Sequence, residues 1–189
     1  MTTAGSLPVP NNWINDNYGS KKGLLNYSLH EAKRLMGFYS SLKVDRHANP
    51  KRIVFVCVGN ICRSPLAEAL ARSRGYNAIS YGLDTRGNDG ADPRAIQFAA
   101  QNDLDLTSHR TRRIAEYNER NGDLIVGMEP KHLNLIRKNK SNALETLLGI
   151  YRAKPCAYIH DPYNTNAYYF TQCEQTVLEA TEALLDHVQ

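Results

Sequence analysis

The chain has 189 residues, 42% of them hydrophobic and 22% charged, with a formal net charge of +4; this suits one well-buried domain and leaves no apolar run long enough to span a bilayer. Four cysteines are too few for a disulfide scaffold at this size, so a special cysteine is expected to act as a thiol. The mild positive charge lacks dense Lys/Arg blocks beyond Arg110–Arg113 and Lys138–Lys140, which argues against nucleic acid and favours a small anionic partner. The first residues show no basic start followed by an apolar core, so a cytoplasmic protein without membrane contact is expected.

Residues 1 to about 22 are rich in Asn, Gly, Pro and Ser and read as an irregular arm. Ser28 and Glu31 form an S-x-x-E capping-box pattern. With Leu29, Ala32, Met36, Tyr39 and Leu42 at three- and four-residue spacing, it predicts an amphipathic helix. From Arg52 strand and helix alternate: RIVFV as a first strand, a helix from about Pro65 to Arg74 stopped at Gly75, then NAISY as a second strand. Asp92 reads as an N-cap with Pro93 at the first helical position. DLIVGM (Asp123 to Met128) is a third strand leading into a helix over KHLNLIRKN, and NALETLL a fourth strand. The last segment places Val177, Ala180, Leu184 and Val188 on one helical stripe. The fold class is therefore α/β, a four-stranded parallel sheet flanked by helices on both faces, with a phosphate-binding loop after the first strand. Residues 1–50 form an N-terminal extension with one amphipathic helix, and 51–189 the main domain.

The first strand runs into VCVGNICRSP, residues 56–65. Two cysteines, an arginine and a serine on one turn could serve a metal, a redox pair or an anion. The position decides: strand-to-helix loops at the carboxyl end of parallel strands hold ligands, and their amides with the following helix end make an anion nest. Gly59 permits tight curvature, and Arg63 can grip two phosphate oxygens at once. The same field is expected to lower the thiol of Cys57 into the range of roughly 3.5 to 7.5, making it a nucleophile toward a phosphate ester. The Ser64 hydroxyl is placed to stabilise the thiolate. Zinc is disfavoured, since no second Cys/His pair has suitable spacing and the arginine repels a cation. No cofactor is expected.

This loop resembles that of the low-molecular-weight protein tyrosine phosphatases, V-C-x-G-N-x-C-R-S-P. ADPRAI (Ala91 to Ile96), SHR (Ser108 to Arg110), DLIVGME (Asp123 to Glu129) and DPY (Asp161 to Tyr163) fit the family too, so the resemblance runs from about residue 51 to the end. It implies that Cys57 forms a phosphocysteine, Arg63 binds phosphate and Asp161 is the general acid. Val58, Gly59, Asn60, Ile61, Cys62, Ser64 and Tyr163 would line the substrate site, with His109 supporting Asn60. It further implies that Cys62 can cap an oxidised Cys57 as a disulfide. Ile61 favours phosphotyrosine, and the short segment before ADPRA, with Arg86 where relatives carry an aromatic, is similar to bacterial members acting on polysaccharide-export tyrosine kinases. The implied partner is a phosphotyrosine protein such as such a kinase. Two other classes compete. A thiol-linked arsenate reductase needs a closely spaced second cysteine pair, which Cys156 and Cys173 do not form; a non-enzymatic phosphate-binding module would not need nucleophile, arginine and acid together.

Overall fold

The structure, a computed structural model, describes residues 12–137 and 143–189. Four parallel strands, β1 (Arg52–Cys57), β2 (Ala78–Gly82), β3 (Asp123–Gly127) and β4 (Leu144–Leu147), form one sheet in the order β2-β1-β3-β4. The chain leaves β1 for β2 on one side and crosses back to β3 on the other. The carboxyl ends of β1 and β3 therefore flank the switch point where open α/β sheets bind ligands.

Every residue of β1 is buried, as a central parallel strand covered on both faces requires. Alternation then sorts its side chains. Ile53, Phe55 and Cys57 join the larger core cluster with α3 (Arg63–Ser73), α4 (Pro93–Ala100) and α6 (Ala167–Val188), whereas Val54 and Val56 join the smaller one beneath α5 (Pro130–Arg137). The stripe Val177, Ala180, Leu184 and Val188 is fully buried, and Asp92 caps α4 by accepting the Arg94 amide at 2.9 Å, with Pro93 opening the helix. Helix α3 starts at Arg63, two residues earlier than the proline suggested. The predicted extension of α5 through Lys138 and Asn139, the basic run to Lys140, and Asn142 of the fourth-strand segment lie outside the described residues, as do residues 1–11.

The N-terminal expectations need correction. Residues 13–18 form a helix, α1 (Trp13–Tyr18), and α2 spans Lys21–Leu35. Its cap is Ser20, which accepts the Gly23 amide at 2.9 Å; Ser28 lies mid-helix, and Glu31 pairs instead with Arg34. Within α2 the apolar stripe stays exposed, Leu29 at 47%, and so does Met36 at its end, 65%; its last two members, Tyr39 and Leu42, lie beyond the helix and pack against the smaller core cluster. The opposite face docks, through Gly23, Asn26, Tyr27 and His30, with the His30 ring stacked 5.5 Å from that of Tyr158 and Asn26 donating to the Tyr158 hydroxyl at 3.2 Å. Within α2 the anchoring contacts are largely polar, so the hydrophobic reading picked the wrong face of the helix while correctly including Tyr39 and Leu42 beyond it. Among the described residues no helix is long and apolar enough to cross a membrane.

Candidate active site

The loop between β1 and α3 is held open by neighbours that take its outward carbonyls. Leu83 and Asp84 amides donate to the carbonyls of Cys57 and Val58 at 3.0 and 2.9 Å. At the end of β2, Gly82 makes this approach possible, because a Cβ there would stand 3.0 Å from both the Val58 carbonyl and the Asn60 Cβ. The left-handed residue of the loop is Asn60, at φ +57°, not Gly59; asparagine tolerates this region where most side chains do not.

Asn60 is fully buried and bonded on every side. Its Oδ1 accepts the Arg112 amide at 2.9 Å, which fixes the orientation of the side-chain amide. Its Nδ2 then donates to Ser64 Oγ at 2.9 Å and Ser80 Oγ at 2.7 Å, and His109 Nε2 donates to its carbonyl at 2.8 Å. Ser80 gives its proton to Glu68 at 2.6 Å. Ser64, already accepting from Asn60, keeps its own proton for Cys57 Sγ, 3.0 Å away. The Asn60 amide reaches the same sulfur at 3.2 Å. Thus a chain from Glu68 through Ser80, Asn60 and Ser64 ends on Cys57 with its donors aimed at the sulfur.

Arg63, 1% exposed, donates from Nη1 to Glu129 at 3.0 Å and to the Ile159 carbonyl at 2.9 Å, and its Nη2 lies 2.6 Å from Asp161 Oδ2. Against burial, the charges of Asp161, Cys57 and Glu129 hold the guanidinium firmly protonated. Burial pushes the Glu129 carboxyl up, but Arg63, His132 and Lys131 hold it below its usual range. Cys57 is also drawn both ways. Burial pushes its thiol up, Arg63 and Ser64 pull it down, and Asp161 adds to the upward push. The net shift is upward, contrary to the expectation from the loop alone, because burial of the sulfur outweighs the pull of Arg63 and Ser64.

Cys57, Val58, Gly59, Ile61, Cys62, Arg63, Asp161 and Tyr163 line one cleft of about 370 Å³, with Asp84, Thr85, Arg86 and Asp89 at its wall. Tyr163 is 54% exposed there. Cys62 precedes α3 and is 3% exposed; burial, then Glu174 and Asp92, push its thiol up. Sequence reasoning brought these residues together but missed four that hold them: Ser80, Glu68, Glu129 and Arg94. Arg94 grips Asp92 with two nitrogens, at 3.0 and 2.7 Å, donates to the Tyr163 carbonyl at 2.8 Å, and lies 4.2 Å from the centre of the Phe170 ring. The basic run after His109 is likewise spent internally, Arg112 on Glu68 at 3.2 Å and Arg113 on Glu116 at 2.6 Å.

The family profile for low molecular weight phosphotyrosine protein phosphatase matches residues 52–189. Over 83 residues the chain is 46% identical to the low molecular weight protein-tyrosine-phosphatase Wzb of Escherichia coli K12, covering 43% of this chain and 56% of that protein; it therefore spans just over half the length of this curated relative. Two crystal structures share the fold. The tyrosine phosphatase amsI of Erwinia amylovora has a TM-score of 0.65 at 26% identity, over 72% of this chain and 92% of that one. Wzb of Escherichia coli K30 in complex with sulphate has a TM-score of 0.63 at 28% identity, over 74% and 99%.

Proposed function

Because the chain belongs to the low molecular weight phosphotyrosine protein phosphatase family, we propose that it hydrolyses phosphotyrosine in proteins through a phosphocysteine on Cys57. The observation that carries this reading is the convergence of Ser64 Oγ at 3.0 Å and the Asn60 amide at 3.2 Å on a sulfur that shares its cleft with Arg63 and Asp161. A phosphoryl group seated on the loop takes Arg63 over from Asp161, and the freed carboxyl faces the leaving oxygen. The Cys57 thiol gives its proton up to the Asp161 carboxylate that has left Arg63, the thiolate attacks phosphorus, the S–P bond forms as the P–O bond breaks, and Asp161 passes that proton to the departing phenolate. A water molecule that loses its proton to Asp161 then attacks the phosphocysteine, releasing phosphate and the Cys57 thiolate.

In this reading Cys57, Arg63 and Asp161 are catalytic. Val58, Gly59, Asn60, Ile61, Cys62 and Ser64 form the phosphate cradle, Tyr163 supplies a ring against the substrate's own, and His109 supports Asn60. Residues 51–189 are the catalytic unit and residues 1–50 an appended segment. We place the enzyme in the cytoplasm, and the short segment around Arg86, which resembles that of bacterial members acting on polysaccharide-export kinases, makes such a tyrosine kinase the leading candidate substrate. The purified protein, assayed side by side on phosphotyrosine, phosphoserine, phosphoarginine and arsenate, is expected to turn over phosphotyrosine alone at a high rate. Preference for phosphoarginine or arsenate would overturn the substrate assignment.

A further inference from the structure

Asp161 sits in a segment, residues 160–166, that belongs to no helix or strand until Asn166 caps α6. A cavity of about 270 Å³ lies behind it, between α1–α2 and α6, with His160 in its wall. The segment therefore does not rest on solid core at that point. Cys173 donates to the His160 carbonyl at 3.4 Å and Arg94 to those of Tyr163 and Thr165 at 2.8 and 3.4 Å; a further hold on each end comes from residues 13–26, ahead of the range that matches the family.

At the first end, Asn26 donates to the Tyr158 hydroxyl at 3.2 Å, which leaves the phenol proton for His160 Nδ1 at 2.8 Å. Burial lowers the His160 ring below its ordinary value, so it is neutral, and the remaining proton on Nε2 goes to Ser20 Oγ at 3.1 Å. The backbone is pressed close: a Cβ on Gly23 would stand 2.8 Å from His160 Cδ2, and one on Gly19, at φ +74°, 2.8 Å from the same atom and 2.9 Å from Thr165. At the other end, Asp16 Oδ1 accepts from Asn166 Nδ2 at 2.8 Å. The acid and the cleft tyrosine lie between these two anchors.

We infer that α1 and the start of α2 form a clasp that positions the general acid, with Ser20 and Asp16 as its positioning residues; this rests on the proposed phosphatase reading. Groups held in productive geometry lose much of their effect when displaced, about 10²-fold for a 1 Å error. A leaving phenolate needs the acid far more than a nitrophenolate does, so loss of the clasp has a signature that general destabilisation lacks.

The test is the double variant Asp16→Ala/Ser20→Ala in the full chain. Its kcat/KM, which reports the steps through leaving-group departure, is expected to fall about tenfold on phenyl phosphate and less than about twofold on p-nitrophenyl phosphate. Inhibition by inorganic phosphate stays unchanged, amide hydrogen exchange over residues 161–166 becomes faster, and Asp16→Asn/Ser20→Thr, which keeps both oxygens, restores the wild-type values. Equal losses on both esters, or no loss, with unchanged exchange would overturn the clasp. Were the wild type itself inactive on both esters, the phosphatase reading would fall, and the exchange comparison alone would then decide whether the clasp holds the segment. If the double variant loses its fold, Asp16→Ala, which leaves the α2 cap intact, carries the same readouts.

Discussion

The loop at residues 57–64 and the segment at 160–166 supply the two halves of one cleft, yet they are built in opposite ways. The loop is bonded within itself and locked in the core: Asn60, Ser64 and Cys57 bond to one another, Asn60 also to Ser80, His109 and Arg112, and all three loop residues are at most 2% exposed. The acid segment is half open, with the Asp161 side chain 32% exposed, and is held by side chains from α1, α2 and α4 that are far away in sequence. The difference matches the tasks. An anion cradle must be rigid before its ligand arrives, since reorganising its dipoles would cancel their benefit. An acid that must release Arg63 and then serve a leaving oxygen needs a support that holds its backbone while its carboxyl changes partner.

The largest effect should come from the open half. Asp161→Asn is expected to lower kcat/KM on phenyl phosphate by about 10² to 10⁴, the usual worth of a placed acid, while inorganic phosphate still binds. Removing this carboxylate also removes one of the groups that push the Cys57 thiol up, so the pH profile of inactivation by iodoacetamide should shift to lower pH. An unchanged rate on phenyl phosphate would assign the proton to another group.

In the closed half the expected signature is stability. Asn60→Ala places alanine at φ +57° and strips donors or acceptors from Ser64, Ser80 and Arg112. With buried polar groups left unpaired at about 1 to 3 kcal/mol each, a loss of about 2 to 4 kcal/mol is expected in a denaturant titration, alongside loss of turnover. A variant as stable as wild type would show that the network is not what shapes the loop.

The same contrast explains what could be read from the sequence. The loop was legible because its chemistry is contiguous: VCVGNICRSP carries nucleophile, arginine and serine within one turn, and the alternation of strand and helix around it fixed the sheet. Its supports were not, since Ser80 and Glu68 reach Asn60 only after β2 pairs with β1. The upward shift of Cys57 was missed for a related reason, because it comes first from burial in the core that distant helices build around β1, with Asp161 adding to it from the far end of the chain. At the N-terminus the capping-box pattern misled: Ser28 and Glu31 have the right spacing inside a helix, while the true cap, Ser20, lacks the glutamate three residues on. The packed face of α2 escaped notice because it works through glycine, asparagine and histidine.

The smallest expected effect concerns Glu174, on α6 beneath both halves. It is fully buried, neither carboxyl oxygen has a hydrogen-bond partner among the described residues, and burial, then the charges of Asp92 and Asp161 against those of Arg63 and Arg94, push it up to about 8. An acid raised in the folded state binds more protons there than when unfolded, so stability falls as pH rises from the unfolded value of 4.5 toward about 8. Glu174→Gln is expected to raise the melting temperature at pH 8 and flatten this slope, with little change at pH 4. An equal shift at both pH values would mean that Glu174 is not protonated in the fold.

The central claim is that Cys57 takes the phosphoryl group. Wild-type protein mixed with p-nitrophenyl phosphate, quenched in acid within the first turnovers and mapped by mass spectrometry, should carry one phosphoryl group on the peptide containing Cys57; Cys57→Ser should keep its fold and lose turnover. Turnover that survives Cys57→Ser, or a phosphoryl group found on a different residue, would contradict the account.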